Sequence, residues 1–333
     1  MNITSKVQRW LPICGCVAVA ASIIGYGGAT LSSAATASVK GKKVVFIAGD
    51  KNDPFYITLD CGAQREARKF GLSLSMQAPT DFDPSEQTPI VDAVAATNPA
   101  AVLIAPTDAK AMFEPIHQLA QGGVRVVFVD TTLNNPADAA AAVSTDDYTA
   151  GVQAAQQMSK LLHGKGQILI INLQAGVSTT DARGKGFTAG AKKAGLQVVS
   201  EQYAGNSQAK AASIAEATLA RYPHLAGIFA ATDFGAEGAV TALRGAELLG
   251  KVKIVGFDAS PVMVSYLKAG SIQSIAAQQA QQIGVDGIDQ AVKALEGKPT
   301  TKTIDLPAVT ITKATLNSTA AKATLQSLKC NGA

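Results

Sequence analysis

The chain has 333 residues, 47% of them apolar, and a formal charge of +4. That is enough apolar material for two domains of ordinary size, but no basic stripe is present to meet a nucleic-acid backbone. The histidines, His117, His163 and His224, lack the i,i+4 spacing of a metal site or the company of a triad. Neither a G-x-S-x-G elbow nor a G-x-x-x-x-G-K-[ST] phosphate loop occurs. The expectation is therefore a non-enzyme with no cofactor and no metal.

In chain order, residues 1–37 read as an export signal. Lys6 and Arg9 form a basic n-region, Leu11 to Gly28 is apolar and small, and Ala35-Thr36-Ala37 is an A-x-A cleavage pattern. A lipobox ending at Cys16 is the weaker alternative, because too little apolar sequence precedes it. Cleavage near Ala37 removes two positive charges and leaves Cys61 and Cys330. In an oxidising compartment an even pair is a disulfide candidate; two unreactive thiols are the alternative.

Val44-Val45-Phe46-Ile47-Ala48 reads as a strand buried on both faces, stopped by Gly49-Asp50. Asp53-Pro54 then starts a helix as N-cap and first helical residue, with Phe55 and Tyr56 on its first turn. Such a junction puts these groups at the carboxyl edge of a sheet, where open α/β sheets bind ligands. Leu72–Gln77, Ala101–Ile104 and Val124–Val129 follow as strands, separated by helices over Glu86–Thr97 and around Ala109–Gln121. This is βαβ repetition with right-handed crossovers. Asn134-Asn135-Pro136 breaks the pattern, Ala139–Val143 is extended, and a helix runs from Ser144–Asp147 to His163.

Alternation then restarts, with strands at Gln167–Asn172, Leu196–Tyr203, Ala226–Ala230 and Val252–Gly256 between helices ending at Ala194, Tyr222 and Leu249. The two sets predict an α/β protein of two similar, doubly wound parallel-sheet lobes. Ser271–Ala277 is extended and a helix runs on to Leu295. Lys302–Thr312 is a late strand that Pro307 makes an edge or a connector, and Ala314–Ala333 has a helical composition.

Polar groups recur just after the strands. Asp108 and Asp233 read best as helix N-caps. Asp258 is not needed as a cap, because Ser260-Pro261 supplies one; Asp53 is both cap and candidate ligand group. Several segments then carry a specific likeness: Asn52-Asp53-Pro54-Phe55-Tyr56, Pro106-Thr107-Asp108, Val129-Asp130 and Ala182-Arg183-Gly184-Lys185-Gly186-Phe187. Phe229-Ala230-Ala231-Thr232-Asp233, Val255-Gly256-Phe257-Asp258 and Gln278 before Gln282-Ile283-Gly284 continue it. In this order, across residues 42–312, the chain resembles the periplasmic sugar-binding proteins of the ribose-binding family, the solute receptors of ABC importers.

The resemblance implies the type I periplasmic binding protein fold, with three crossings forming a hinge near Val143-Ser144-Thr145, Ala277-Gln278 and Asp305-Leu306-Pro307. One lobe takes 41–144 and 278–306, the other 145–277 and 307–313, and 314–333 is a helical extension. It implies that Phe55 and Phe257 sandwich a sugar, that Tyr56 is a further wall, and that Asp130, Arg183, Asp258 and Gln278 hydrogen-bond its hydroxyls. Four positions depart from the ribose binders: Asp53 stands for an Asn, Thr131 for an Arg, Asn206 for a Phe and Thr232 for an Asn. A roomier, more acidic cleft fits a neutral monosaccharide or sugar alcohol other than ribose, and not an anionic sugar acid; a nucleoside or autoinducer is the alternative solute. The implied setting is a periplasmic monomer that serves a membrane permease, with a chemoreceptor or sensor kinase as another reader. A Cys61–Cys330 bond would hold the extension against the back of the first lobe, away from the cleft.

Overall fold

The computed structural model describes residues 38–330, so the export signal lies outside the described residues. The first apolar run is β1 (Lys43–Ile47), with Val44 to Ile47 buried. It leads into α1 (Pro54–Phe70), β2 (Ser73–Gln77), α2 (Pro84–Ala96), β3 (Ala101–Ile104), α3 (Phe113–Gln121), β4 (Arg125–Val129) and β5 (Ala139–Thr145). Helix α1 starts as its sequence dictates: the Asp53 carboxylate accepts from the Phe55 N–H, and Pro54 opens the first turn. It ends at Gly71, whose left-handed φ of 66° lets its N–H close back on the Ala67 and Arg68 carbonyls.

The chain then enters a second lobe. Its elements are α4 (Asp147–Leu162), β6 (Gly166–Asn172), α5 (Ser178–Lys193), β7 (Leu196–Tyr203), α6 (Gln208–Arg221), β8 (Leu225–Ala230), α7 (Asp233–Gly245), β9 (Lys253–Phe257), α8 (Pro261–Ala269) and β10 (Ser274–Ala277). It returns for α9 (Ala280–Leu295) and β11 (Thr303–Leu306), then crosses again for β12 (Val309–Thr312) and α10 (Thr319–Ala323).

Two six-stranded sheets result, ordered β11-β5-β4-β3-β1-β2 and β12-β10-β9-β8-β6-β7. In the first, β1 runs parallel to both neighbours, with Phe46 opposite Met76 and Leu103. Among the described strands only β12 runs against its neighbour, β10. The late strand is thus two edge strands, one per sheet, separated by Pro307-Ala308. Apolar clusters cover both faces of each sheet, as parallel sheets require. In the first lobe α1 and α9 touch backbone to backbone: a Cβ at Gly62 would strike the Gln281 carbonyl, and one at Gly284 the Leu59 carbonyl. Among the described residues no helix is long and apolar enough to cross a membrane.

The C-terminal segment departs from expectation. Among its described residues only α10 is helical, because hydroxyls along the segment satisfy the backbone locally and compete with a continuous helix. Thr315 Oγ1 accepts from the Thr312 N–H, Ser318 Oγ from the Ala321 N–H, and Thr324 Oγ1 donates to the Ala321 carbonyl. Leu316 and Ala321 are buried in the second lobe's core and Leu325 packs on it. The chain then reaches α1, where the Ser327 N–H donates to Thr58 Oγ1 (2.8 Å) and Cys330 is disulfide-bonded to Cys61. Contrary to the expectation of an extension on the back of the first lobe, away from the cleft, the tail lies across both lobes and brings Gln326 Nε2 to 2.9 Å from Asp258 Oδ1.

Candidate ligand-binding cleft

The carboxyl ends of the strands in both sheets face a common cavity, placed where open α/β sheets bind ligands. The first lobe supplies Asp53, Phe55, Tyr56, Phe82 and Asp130 to its wall. The second supplies Thr180, Arg183, Asn206, Thr232, Asp233 and Asp258 among others, and Gln278 lies on the connection back to the first.

One side of the wall is aromatic. Phe55 meets Tyr56 edge-on at 5.1 Å between centroids, and Phe82 stacks on Tyr56 at 6.5 Å. The Tyr56 hydroxyl, buried with its ring, donates to Asp130 Oδ2 at 2.7 Å. Ring faces of this kind pack on the C–H faces of a small ligand while the hydroxyl finds its own partner.

The opposite side is polar and centred on Arg183, which is 3% exposed. Its Nε donates to Asp147 Oδ1 (2.7 Å), its Nη1 to the Ala231 carbonyl (3.0 Å), and its guanidinium lies 3.8 Å over the Phe257 ring. Nη1 is also 4.0 Å from Asp258 Oδ2. Asp258 Oδ1 accepts from Gln278 Nε2 (3.0 Å) and Gln326 Nε2 (2.9 Å), and Gln278 Oε1 accepts from Thr145 Oγ1 (2.7 Å). Asp130 and Asp258, which follow β4 and β9, are both left-handed, at φ 64° and 67°, a conformation Asp tolerates better than most residues. Thr180 Oγ1 is buried in the wall with no protein partner among the described residues. A polar atom left in that state faces a cavity built for a polar occupant.

Carboxylates outnumber the cation here. Burial lifts Asp130 to about 6, against the pull of Arg183 and of the Tyr56 hydroxyl. Burial, then the Asp258 charge, lifts Asp233 to about 7. Asp53 is held well above the usual carboxylate range by burial and by the charges of Asp233 and Asp258, while Asp258 is raised by burial and drawn back by Arg183 and its two glutamine donors. Burial opposes the charge on Arg183, but Asp147, Asp258 and Asp130 outweigh it and push its pKa up.

The lobes meet over the cavity. Asn206 Nδ2 donates to Asp50 Oδ2 (2.9 Å), the Ala109 N–H to the Gly176 carbonyl (2.9 Å), and the Thr132 N–H to Ser178 Oγ (2.9 Å). Each joins one lobe to the other, so this is a closed form.

Of the residues singled out from sequence, Asp53, Phe55, Tyr56, Asp130, Arg183, Asn206, Thr232, Asp258 and Gln278 come together at the cavity. Two do not. Phe257 is fully buried in the core beneath Arg183 and backs the guanidinium instead of the cavity. Thr131 is buried away from it, donating to the Pro106 carbonyl at 2.7 Å. Asp233 is corrected as well. Thr232 caps α7 by accepting from the Gly235 N–H, which leaves Asp233 in the wall. Asp108 does serve a turn, accepting from the Lys110 and Ala111 N–H groups. Sequence reasoning missed Phe82 in the β2–α2 loop, Asp147 behind Arg183, and Gln326.

The D-ribose/D-allose-binding protein of Pseudomonas aeruginosa is 31% identical over 256 residues, covering 73% of this chain and 79% of that protein. The ribose import binding protein RbsB of Bacillus subtilis is 30% identical over 257 residues, covering 77% and 82%. An ABC transporter solute binding protein from Agrobacterium vitis, solved with alpha-D-tagatopyranose bound, superposes with a TM-score of 0.83 at 32% identity, over 86% of this chain and 99% of that one. The model of the periplasmic binding protein domain matches residues 44–299. With two six-stranded lobes closed over a cavity of aromatic and carboxylate groups, this chain belongs to the periplasmic binding protein domain family.

Proposed function

We propose that the chain is the periplasmic solute receptor of an ABC sugar importer, binding a neutral monosaccharide or sugar alcohol between its lobes and passing it to the membrane permease. The observation that carries this reading is the division of the cavity: stacked aromatic rings on one side, and a rim of carboxylates, amides and one guanidinium on the other. A sugar has the matching division, with C–H faces and a hydroxyl rim. Carboxylates accept from paired hydroxyls and Arg183 donates. Carboxylates in excess disfavour an anionic solute. Relatives that bind ribose, allose or tagatose support the ligand class. The chain does no chemistry on this ligand. Its hinge is the three crossings at Thr145–Asp147, Ala277–Ala280 and Leu306–Val309, and closure about such a hinge is the general mode of these receptors.

A thermal-shift screen of the exported protein against sugars, polyols, amino acids and nucleosides, followed by calorimetry on the hits, tests the reading. The expected result is a stabilising hit among neutral sugars or polyols, recovered unaltered. Hits confined to amino acids, or turnover of any sugar, would overturn it.

A further inference from the structure

We propose that Gln326, carried behind the cleft wall by the C-terminal tail, is a positioning residue for the ligand-binding carboxylate of Asp258. The inference rests on the sugar-receptor reading for what Asp258 contacts, but not for the placement of Gln326 itself.

Asp258 has a left-handed backbone, donates its N–H to the Ala276 carbonyl, and is relieved of capping duty by Ser260. Its carboxylate is then held by two side-chain amides on one oxygen: Gln278 Nε2 at 3.0 Å and Gln326 Nε2 at 2.9 Å, both on Oδ1. Two converging donors fix the carboxylate plane, and Oδ2 stays on the side of Arg183. Gln326 is 6% exposed and does not line the cavity, so it acts through Asp258. Its N–H, given to the Ala259 carbonyl at 3.0 Å, sets the side chain in place. Its Oε1 is buried without a partner among the described residues. Packing alone would be better served there by an apolar residue, which leaves no such atom unmet. The amide is thus present for the donor it gives Asp258.

The tail also fixes where that donor stands. Leu316 and Ala321 seat it in the second lobe. One residue after Gln326, Ser327 exchanges hydrogen bonds with Thr58 of α1, and Cys330 is bonded to Cys61 of the same helix. Helix α1 carries Phe55 and Tyr56 one turn earlier. The tail is therefore a further connection between the lobes, tied covalently to the helix that bears the aromatic wall while it orients the acceptor on the other side.

The charged groups around Asp258 are Arg183 on α5, Asp53 ahead of α1, Asp130 after β4, Asp147 on α4 and Asp233 on α7. With four carboxylates against one guanidinium, the Gln326 N–H helps to keep Asp258 ionised. Gln326→Leu removes the donor at similar size. Calorimetry with the best ligand from the sugar screen should show at least tenfold weaker binding, with the acid-side loss of affinity moved to higher pH. A Cys61→Ser/Cys330→Ser variant, which frees the strap, should lose less, and adding Gln326→Leu to it should weaken binding no further than Gln326→Leu alone. A ligand-free readout keeps the two readings apart. The Asp258 carboxyl carbon, followed by NMR titration, should shift its midpoint to higher pH in Gln326→Leu even if no sugar binds. An unchanged midpoint, or weaker binding with an unchanged pH profile, would reduce Gln326 to a packing role and overturn the proposal.

Discussion

Arg183 is the one guanidinium in the cavity wall, and replacing it with Met should reveal how much charge it holds in check. In the closed form it pairs with Asp147 at 2.7 Å, stands 4.0 Å from Asp258, and lowers the pKa of Asp130. Removing one member of a buried pair costs about 3–5 kcal/mol, because the remaining charge is left uncompensated. The loss should depend on pH. Without Arg183 these carboxylates rise further, so the variant's folded state keeps protons that the unfolded chain releases. Stability contributed by a protonated carboxyl is full at low pH and is lost as pH rises through the folded-state pKa. Each extra proton held by the variant therefore adds about 1.4 kcal/mol of destabilisation per pH unit. The loss should therefore be larger near pH 8 than near pH 5.5, by about 1.4 kcal/mol for each pH unit over which the variant alone holds one such proton. Urea unfolding of ligand-free protein, followed by far-ultraviolet circular dichroism, is the assay, since the single Trp10 lies in the predicted export signal. Equal losses at the two pH values, or a loss below about 1 kcal/mol at both, would refute the electrostatic account.

Four further outcomes are expected from the geometry. Asp258→Asn keeps the left-handed backbone but removes the charge, and calorimetry should show ligand binding weakened by about 1.5–3 kcal/mol with little change in melting temperature; unchanged affinity would remove Asp258 from the ligand set. Cys61→Ser/Cys330→Ser should lose about 2–4 kcal/mol of stability in chemical denaturation, and two alkylatable thiols in exported wild-type protein would contradict the bond. Asn206→Ala cuts the Asn206–Asp50 link between the lips, so stopped-flow should show faster ligand release. Small-angle scattering of the wild type should show compaction on ligand addition, and an unchanged radius at saturation would argue against hinge closure.

Some of this was legible in the sequence for reasons the structure makes plain. The β1–α1 junction is written in an unbroken apolar run, a Gly-Asp stop and an Asp-Pro start. The freedom of Asp258 follows from Ser260-Pro261 taking the cap. The resemblance puts Phe257 against the sugar, but a matched motif does not fix which way a ring at the end of β9 points; here it joins Phe187 and Phe229 in the core. Phe82 left no signal, as nothing local marks which loop ring will stack on Tyr56. Asp146 and Asp147 are adjacent and chemically alike. Only the fold shows that Asp146 caps α4 while Asp147 turns inward to Arg183. The tail misled through its composition: alanines promise helix, but the interspersed threonines and serines bond to their own backbone, and no periodicity marks Gln326.

The uneven wall sets an order of events. The stacked rings belong to the first lobe, whereas Arg183, Thr180, Asp233 and Asp258 belong to the second. On the sugar-receptor proposal, a ligand arriving while the lobes are apart would find most of its directed hydrogen bonds on the second lobe alone. The first lobe then arrives as a greasy lid, bringing Phe55, Tyr56 and Phe82 together with Asp130. On the sugar-receptor proposal, the second lobe would recognise the hydroxyl pattern and the first would retain whatever has been recognised. Substitutions in the rings should lengthen or shorten the stay of every ligand, while substitutions around Arg183 should decide which ligand is kept.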